Sequence, residues 1–187
     1  VFRASEVAFL RAEGALRGWN MGGSPKDLYE AGIRLSFEEN NISSGVESYL
    51  ANTGKVEGYK DPLKGQSGQT YDYSGSINTA VTVAWAGGDF EKSLEQIITQ
   101  KWIANFPNGM ESWSEYRRTG YPKLMPMAAN ASSGIVDDTE GARRMPYPTD
   151  EYRENKESVE AAVLTLTQES KTKKGDSMAT HVWWDCK

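Results

Sequence analysis

Apolar residues recur at helical spacing in several stretches, and polar or glycine-rich segments separate them. Near the start, Phe9, Ala12, Leu16 and Trp19 step by three and four along one face, which predicts a helix over residues 3–19. Ala8, Ala12, Gly14 and Ala15 are small enough for another helix backbone to come close. Asn20-Met21-Gly22-Gly23 ends the pattern. Ser24 then caps a second helix, with Pro25 at its first position and Asp27 at its third. Leu28, Ala31 and Leu35 form one stripe of that helix, and Tyr29, Ile33 and Phe37 form a second beside it. Two helices about a short corner make an αα-hairpin. A further short helix is predicted over residues 44–51.

Helical period returns at Asp89, a capping residue, and Phe90, Leu94, Ile97 and Ile98 lead on to Trp102 and Phe106. Pro107-Asn108-Gly109 reads as a tight corner. Asn108 with Glu111 three residues on is a capping-box pattern, so another helix starts there and runs to about Thr119. Gly120 suits the position just past its end, and Pro122 forbids continuation. Met110, Trp113 and Arg117 share a face, and Glu115 with Arg118 reads as a surface pair. Trp102, Phe106, Trp113, Tyr116 and Tyr121 are read as core packing and not as a ligand platform. Residues 125–142 form a loop of small residues. Arg143 to Pro148 is extended, because each proline disfavours helix in the residue before it. Asn155 is read as the cap of a last helix with the stripe Val159, Ala162, Val163 and Leu166. Trp183 and Trp184 are read as a tether that packs the tail onto the body.

Residues 54–88 break the helical pattern: Gly54, Gly58, Gly65, Gly68, Gly75, Gly87 and Gly88 are interspersed with Ser, Thr and Asn. A segment this long exceeds what connection needs, and such loops are usually functional or disordered. Thr79 to Trp85 reads as a strand or a packed extended piece. Tyr59, Tyr71, Tyr73 and Trp85 are aromatics that no helical stripe explains. Two roles are open to them. They pin the loop to the helices, or they offer flat apolar faces to sugar rings. In the second role, Gln66, Gln69, Asp72 and Asn78 are the candidates for bonds to sugar hydroxyls.

The length of 187 residues suffices for one domain with a real core, or for part of a larger one. Val1 in place of Met reads as a processed, truncated or cleaved chain. The net charge of −5 disfavours nucleic acid as a partner. Cys186 is the single cysteine and His181 the single histidine, so no internal disulfide and no zinc spacing are expected, and neither a metal nor a cofactor is implied. No nucleophile elbow, phosphate loop or metalloprotease motif occurs, and Asp137-Asp138 alone is no acid/base pair, so no enzymatic activity is expected. Arg117-Arg118 and Arg143-Arg144 are read as architecture, since guanidinium groups commonly lock loops to carboxylates and carbonyls.

Three stretches together, QKWIANFPNGMESWSEYRRTGYPKL, RRMPYPTDEYREN and HVWWDCK, resemble the C-terminal part of the SusD/RagB family. EVAFLRAEGALRGWN and LYEAGIRLSFEEN resemble the tetratricopeptide-like helices of the same family. The resemblance fades over residues 54–88 and 125–141, where ligand specificity would vary. It implies a mainly α, SusD-like fold: tetratricopeptide-like helices over 1–52, a variable loop over 53–88, and C-terminal helices with a Trp-rich tail over 89–187, all one domain. It further implies a non-catalytic, surface-exposed outer-membrane lipoprotein that binds an oligosaccharide or other nutrient. Its partner would be a SusC-like TonB-dependent transporter, and its lipid would sit on an N-terminal cysteine outside this chain. Tyr59, Tyr71, Tyr73 and Trp85 are the ligand-contact candidates. A tetratricopeptide-type interaction scaffold is the alternative, resting on one hairpin; no second copy recurs at a fixed period, so other members would precede Val1. A carbohydrate-active enzyme is the third reading.

Overall fold

The computed structural model describes residues 2–42, 44–55, 58–62, 81–127, 129–139 and 141–185. Among these the chain is helical: α1 Ala4–Leu16, α2 Pro25–Glu39, α3 Val46–Leu50, α4 Phe90–Ala104, α5 Gly109–Thr119, α6 Thr149–Glu154 and α7 Lys156–Glu169. The chain divides into two compact units, the first of residues 1–116 and 120–124, the second of residues 117–119 and 125–187.

In the first unit α1 packs against α2 and α4, and α2 also packs against α3 and α4. The core is Phe9 and Ala12 of α1, Leu28, Tyr29 and Ile33 of α2, and Ile97 and Ala104 of α4. The stripe of α2 that carries Tyr29 and Ile33 therefore faces inward. Close approach is set at Gly32, where a Cβ would lie 2.7 Å from the Phe9 ring. Ser24 caps α2 as its sequence predicts, accepting from the Asp27 N–H at 3.1 Å and donating its hydroxyl to Asp27 at 2.6 Å. Helix α1 lacks a side-chain cap of its own. Glu39, the last residue of α2, supplies one from a distance: its carboxylate accepts from the Ser5 N–H at 3.0 Å and the Ser5 hydroxyl at 2.6 Å. A negative charge at a helix N-terminus is favourable, and here it fixes α2 antiparallel to α1. Arg3 likewise donates to the Ala104 carbonyl at the end of α4, at 2.9 Å.

Two expectations for these helices are corrected. Helix α1 ends at Leu16, because Gly18 takes a left-handed φ of 85°, and Trp19 falls outside the helix and is exposed. On α4 the inward stripe runs from Leu94, Ile97 and Ile98 to Lys101, not to Trp102 and Phe106. Lys101 is 1% exposed, whereas Trp102 is 40% and Phe106 79% exposed. The reason lies on α5: the Lys101 ammonium sits 2.9 Å from Glu111 and 3.0 Å from Glu115, so its charge is satisfied in the interior. Burial pushes the Lys101 ammonium down, but Glu115 and Glu111 outweigh that and hold it above its ordinary value. Glu115 is thus engaged by Lys101 across the helices and is buried.

The second unit is organised by arginines, in line with the architectural reading. Arg117 donates to the Arg143 carbonyl at 2.9 Å and lies over the Trp184 ring, 4.6 Å from its centroid. Arg143 pairs with the buried Asp185 at 3.2 Å. Arg144 pairs with Asp176, which also accepts from the Tyr152 hydroxyl at 2.6 Å and the Tyr147 N–H at 3.0 Å. Burial raises the Asp176 carboxyl, but these donors outweigh it and hold it below the usual carboxylate range. Val159 is the buried residue of α7. Asn155 precedes α7 without a side-chain cap bond; its amide donates instead to Glu151 at 3.2 Å, because α6 already occupies the preceding turn. Cys186 lies outside the described residues.

Candidate functional site

The aromatic loop leaves the helices after α3 and returns at α4, and its two ends are held to each other and to the core. The Ala84 N–H donates to the Asn52 carbonyl at 2.8 Å, which ties outgoing to incoming chain. The Tyr29 hydroxyl donates to the Val83 carbonyl at 2.7 Å, and burial raises that phenol far above its ordinary value. Gln96, on the buried face of α4, contributes three bonds. Its amide N–H groups donate to the carbonyls of Thr82 at 2.7 Å and Ala84 at 2.9 Å, and its carbonyl accepts from the Ala86 N–H at 3.2 Å. Residues 81–85 are thus packed against the helices with a bend at residues 83–84, and no strand occurs among the described residues.

Between the loop ends lies a cleft of about 250 Å³ whose polar lining includes Asn52, Lys55, Thr82, Gln96, Thr99 and Gln100. Tyr49 donates to Gln100 at 3.0 Å across it. The Thr99 hydroxyl is buried and has no hydrogen-bond partner among the described residues. The Gln96 amide is spent on the loop backbone, so the groups this lining offers include the Thr99 hydroxyl, the Asn52 amide and the Lys55 ammonium. Among the described residues no three His, Cys, Asp or Glu side chains converge as metal ligands.

Of the aromatics singled out from the sequence, Tyr59 is 40% exposed. Trp85 is half-buried and packs on the core, with its ring centroid 5.1 Å from that of Tyr29 at an interplanar angle of 49°. Tyr71 and Tyr73, with Gln66, Gln69, Asp72 and Asn78, lie outside the described residues. Gln96, Thr99 and Gln100 escaped the sequence reading. Their signal was a polar line, Ser93, Gln96 and Gln100, at helical spacing on a helix otherwise read through its apolar residues.

Replacing Gln96 by leucine keeps the volume but strands two carbonyls and one N–H. It is expected to cost about 2 kcal/mol and to lower the melting temperature by several degrees. Thermal unfolding followed by circular dichroism checks this, and an unchanged midpoint would show that the clamp does not hold the loop.

The aromatic stretch 100–124 is also corrected. Among the apolar side chains of α5, none is fully buried. Trp102, Phe106, Trp113, Tyr116 and Leu124 instead line an apolar groove of about 330 Å³.

The family model described as SusD and RagB outer membrane lipoprotein matches residues 1–185. The chain belongs to this SusD-like family. Among solved structures, a SusD homologue from Bacteroides ovatus is 88% identical with a TM-score of 0.90, the match covering 100% of this chain and 38% of that one. A SusD homologue from Bacteroides thetaiotaomicron is 50% identical with a TM-score of 0.83, over 98% of this chain and 38% of that one. A chitin-binding SusD homologue from Flavobacterium johnsoniae is 43% identical with a TM-score of 0.81, over 99% of this chain and 36% of that one. The chain therefore spans a little over a third of the length of these relatives. A search of curated proteins gave no match. The mainly α fold with its helical hairpin is that of the family.

Proposed function

We propose that the chain is part of a non-catalytic glycan-binding lipoprotein on the outer-membrane surface, which delivers oligosaccharide to a SusC-like TonB-dependent transporter. Membership of the family over residues 1–185 carries the reading, and the 43% identity to a chitin-binding homologue supports sugar as the ligand class. In this proposal recognition falls on the loop over 54–88. Tyr59, Tyr71 and Tyr73 present rings to the sugar, and Trp85 fixes the returning end while offering its uncovered edge. The polar cleft beneath, with its Thr99 hydroxyl, supports a ligand rich in hydroxyl groups.

The test is a titration of the chain with soluble oligosaccharides derived from chitin, starch and other glucans, alongside alanine variants of the three tyrosines. Loss of one ring is expected to cost about 1–3 kcal/mol of binding through lost apolar contact, with the melting temperature unchanged. No reducing ends should be released during the incubation. Reproducible hydrolysis abolished by one Asp or Glu substitution would make the protein an enzyme, and full binding by all three variants would move the site elsewhere.

A further inference from the structure

Trp183 and Trp184 are adjacent in sequence and do different work. Trp184 is half-buried beneath the Arg117 guanidinium, at 4.6 Å, and acts as the tether expected of the pair. Trp183 is 91% exposed, which corrects the expectation that it packs the tail to the body. The backbone that carries it is nonetheless fixed. Thr180, His181 and Asp185 are buried, the His181 ring nitrogen lies 3.3 Å from the Asp185 carbonyl oxygen, and Asp185 is paired with Arg143. An indole is thus held outward on an immobile base.

Beside it is a cavity of about 680 Å³ at the C-terminal end of α7, lined by Thr165, Leu166, Glu169 and Lys171 together with His181 and Trp183. Glu169 and Lys171 are exposed and make no hydrogen bond or ion pair among the described residues. The Thr165 hydroxyl donates to the Ala161 carbonyl at 3.2 Å and keeps its lone pairs to accept. One large apolar plate therefore shares this cavity with a carboxylate and an ammonium that no described side chain engages, and with a hydroxyl that can still accept. A protein partner would need a far wider complementary surface, commonly over about 1,000 Å² in all, and would leave that carboxylate and ammonium to be desolvated. A sugar ring fits both parts: its C–H face lies on the indole, and its hydroxyls give the charged groups partners.

We propose that this surface of the second unit is a sugar-binding subsite, in which Trp183 stacks on a pyranose ring and Glu169, Lys171 and Thr165 bond its hydroxyls. The proposal rests on the glycan-binding reading above but uses none of the loop residues. It is tested by calorimetric titration of the 187-residue chain and its Trp183→Ala and Trp183→Phe variants with soluble chitin- and starch-derived oligosaccharides. Trp183→Ala should weaken the best of these ligands at least about fivefold, and Trp183→Phe should retain most of the affinity. The melting temperature should not move, because the ring is not part of the core. Unchanged affinity in Trp183→Ala while the loop tyrosine variants lose theirs would overturn the subsite and leave the glycan-binding reading intact. A lowered melting temperature would also overturn it, by making the ring structural. Absence of binding by the parent chain to every oligosaccharide would overturn both.

Discussion

Lys101→Met is expected to destabilise the first unit by about 3–5 kcal/mol, the loss that follows when one partner of a buried ion pair is removed. Its ammonium is the counter-charge for Glu115, whose side chain is 9% exposed, and for Glu111 one turn earlier on α5. Methionine fills similar space, so the loss is electrostatic and not a cavity effect. Two carboxylates four residues apart on one helix would then face the back of α4 without the ammonium that bridges them. Because Lys101 is held above its ordinary value, its contribution is complete below the pH at which an unfolded lysine titrates. It disappears only as pH rises through the higher folded value. At neutral pH the whole effect is therefore visible. Denaturant unfolding at neutral pH measures it, and adding Glu115→Gln to Lys101→Met should recover part of the loss. A single variant as stable as the parent would show that the trio contributes nothing net.

Arg143→Met is expected to have a comparable effect on the second unit, again about 3–5 kcal/mol. Asp185 has a fully buried side chain, and Arg143 reaches it at 3.2 Å from the far end of the loop that precedes α6. Without the guanidinium the buried carboxylate loses the charge that Arg143 brings to it, and the chain around His181 and Trp184 loosens with it. Faster proteolysis of the tail and a lower thermal midpoint are the readouts. Arg143→Lys should restore only part of the stability, since an ammonium lacks the planar fork that Arg143 brings to this site. Equal protease resistance in parent and Arg143→Met would remove Arg143 from the list of organising residues.

These two residues mark where the sequence was readable and where it was not. Helix starts were legible because caps are local chemistry: Ser24 with Pro25 and Asp27, Asp89, and Asn108 with Glu111 all cap as their spacing predicts. The arginine pairs were legible as architecture because bidentate groups commonly bind carboxylates and carbonyls. The facing of α4 was not legible. Trp102 and Lys101 are neighbours, and periodicity alone gives the apolar residue to the core and the charged one to water. That choice reverses only because Glu111 and Glu115 arrive from another helix, a non-local fact. The tryptophan pair failed for the same reason, since which of the two faces inward depends on Arg117. At the loop ends, Trp85 stood out as an aromatic outside any helical stripe, while Gln96 and Thr99 stayed hidden as polar letters in an apolar helix.

The clamp around Gln96 has an evolutionary consequence. Its bonds from the Gln96 side chain are to main-chain groups of residues 82, 84 and 86, and the Asn52 tie is also main chain to main chain. Such a latch is indifferent to the side chains of the segment it closes. Adding residues to a closed loop costs little, about 0.6 kcal/mol per doubling of its length. The stretch it closes can therefore be exchanged as a cassette, and drift in that cassette would leave the helices that carry it undisturbed.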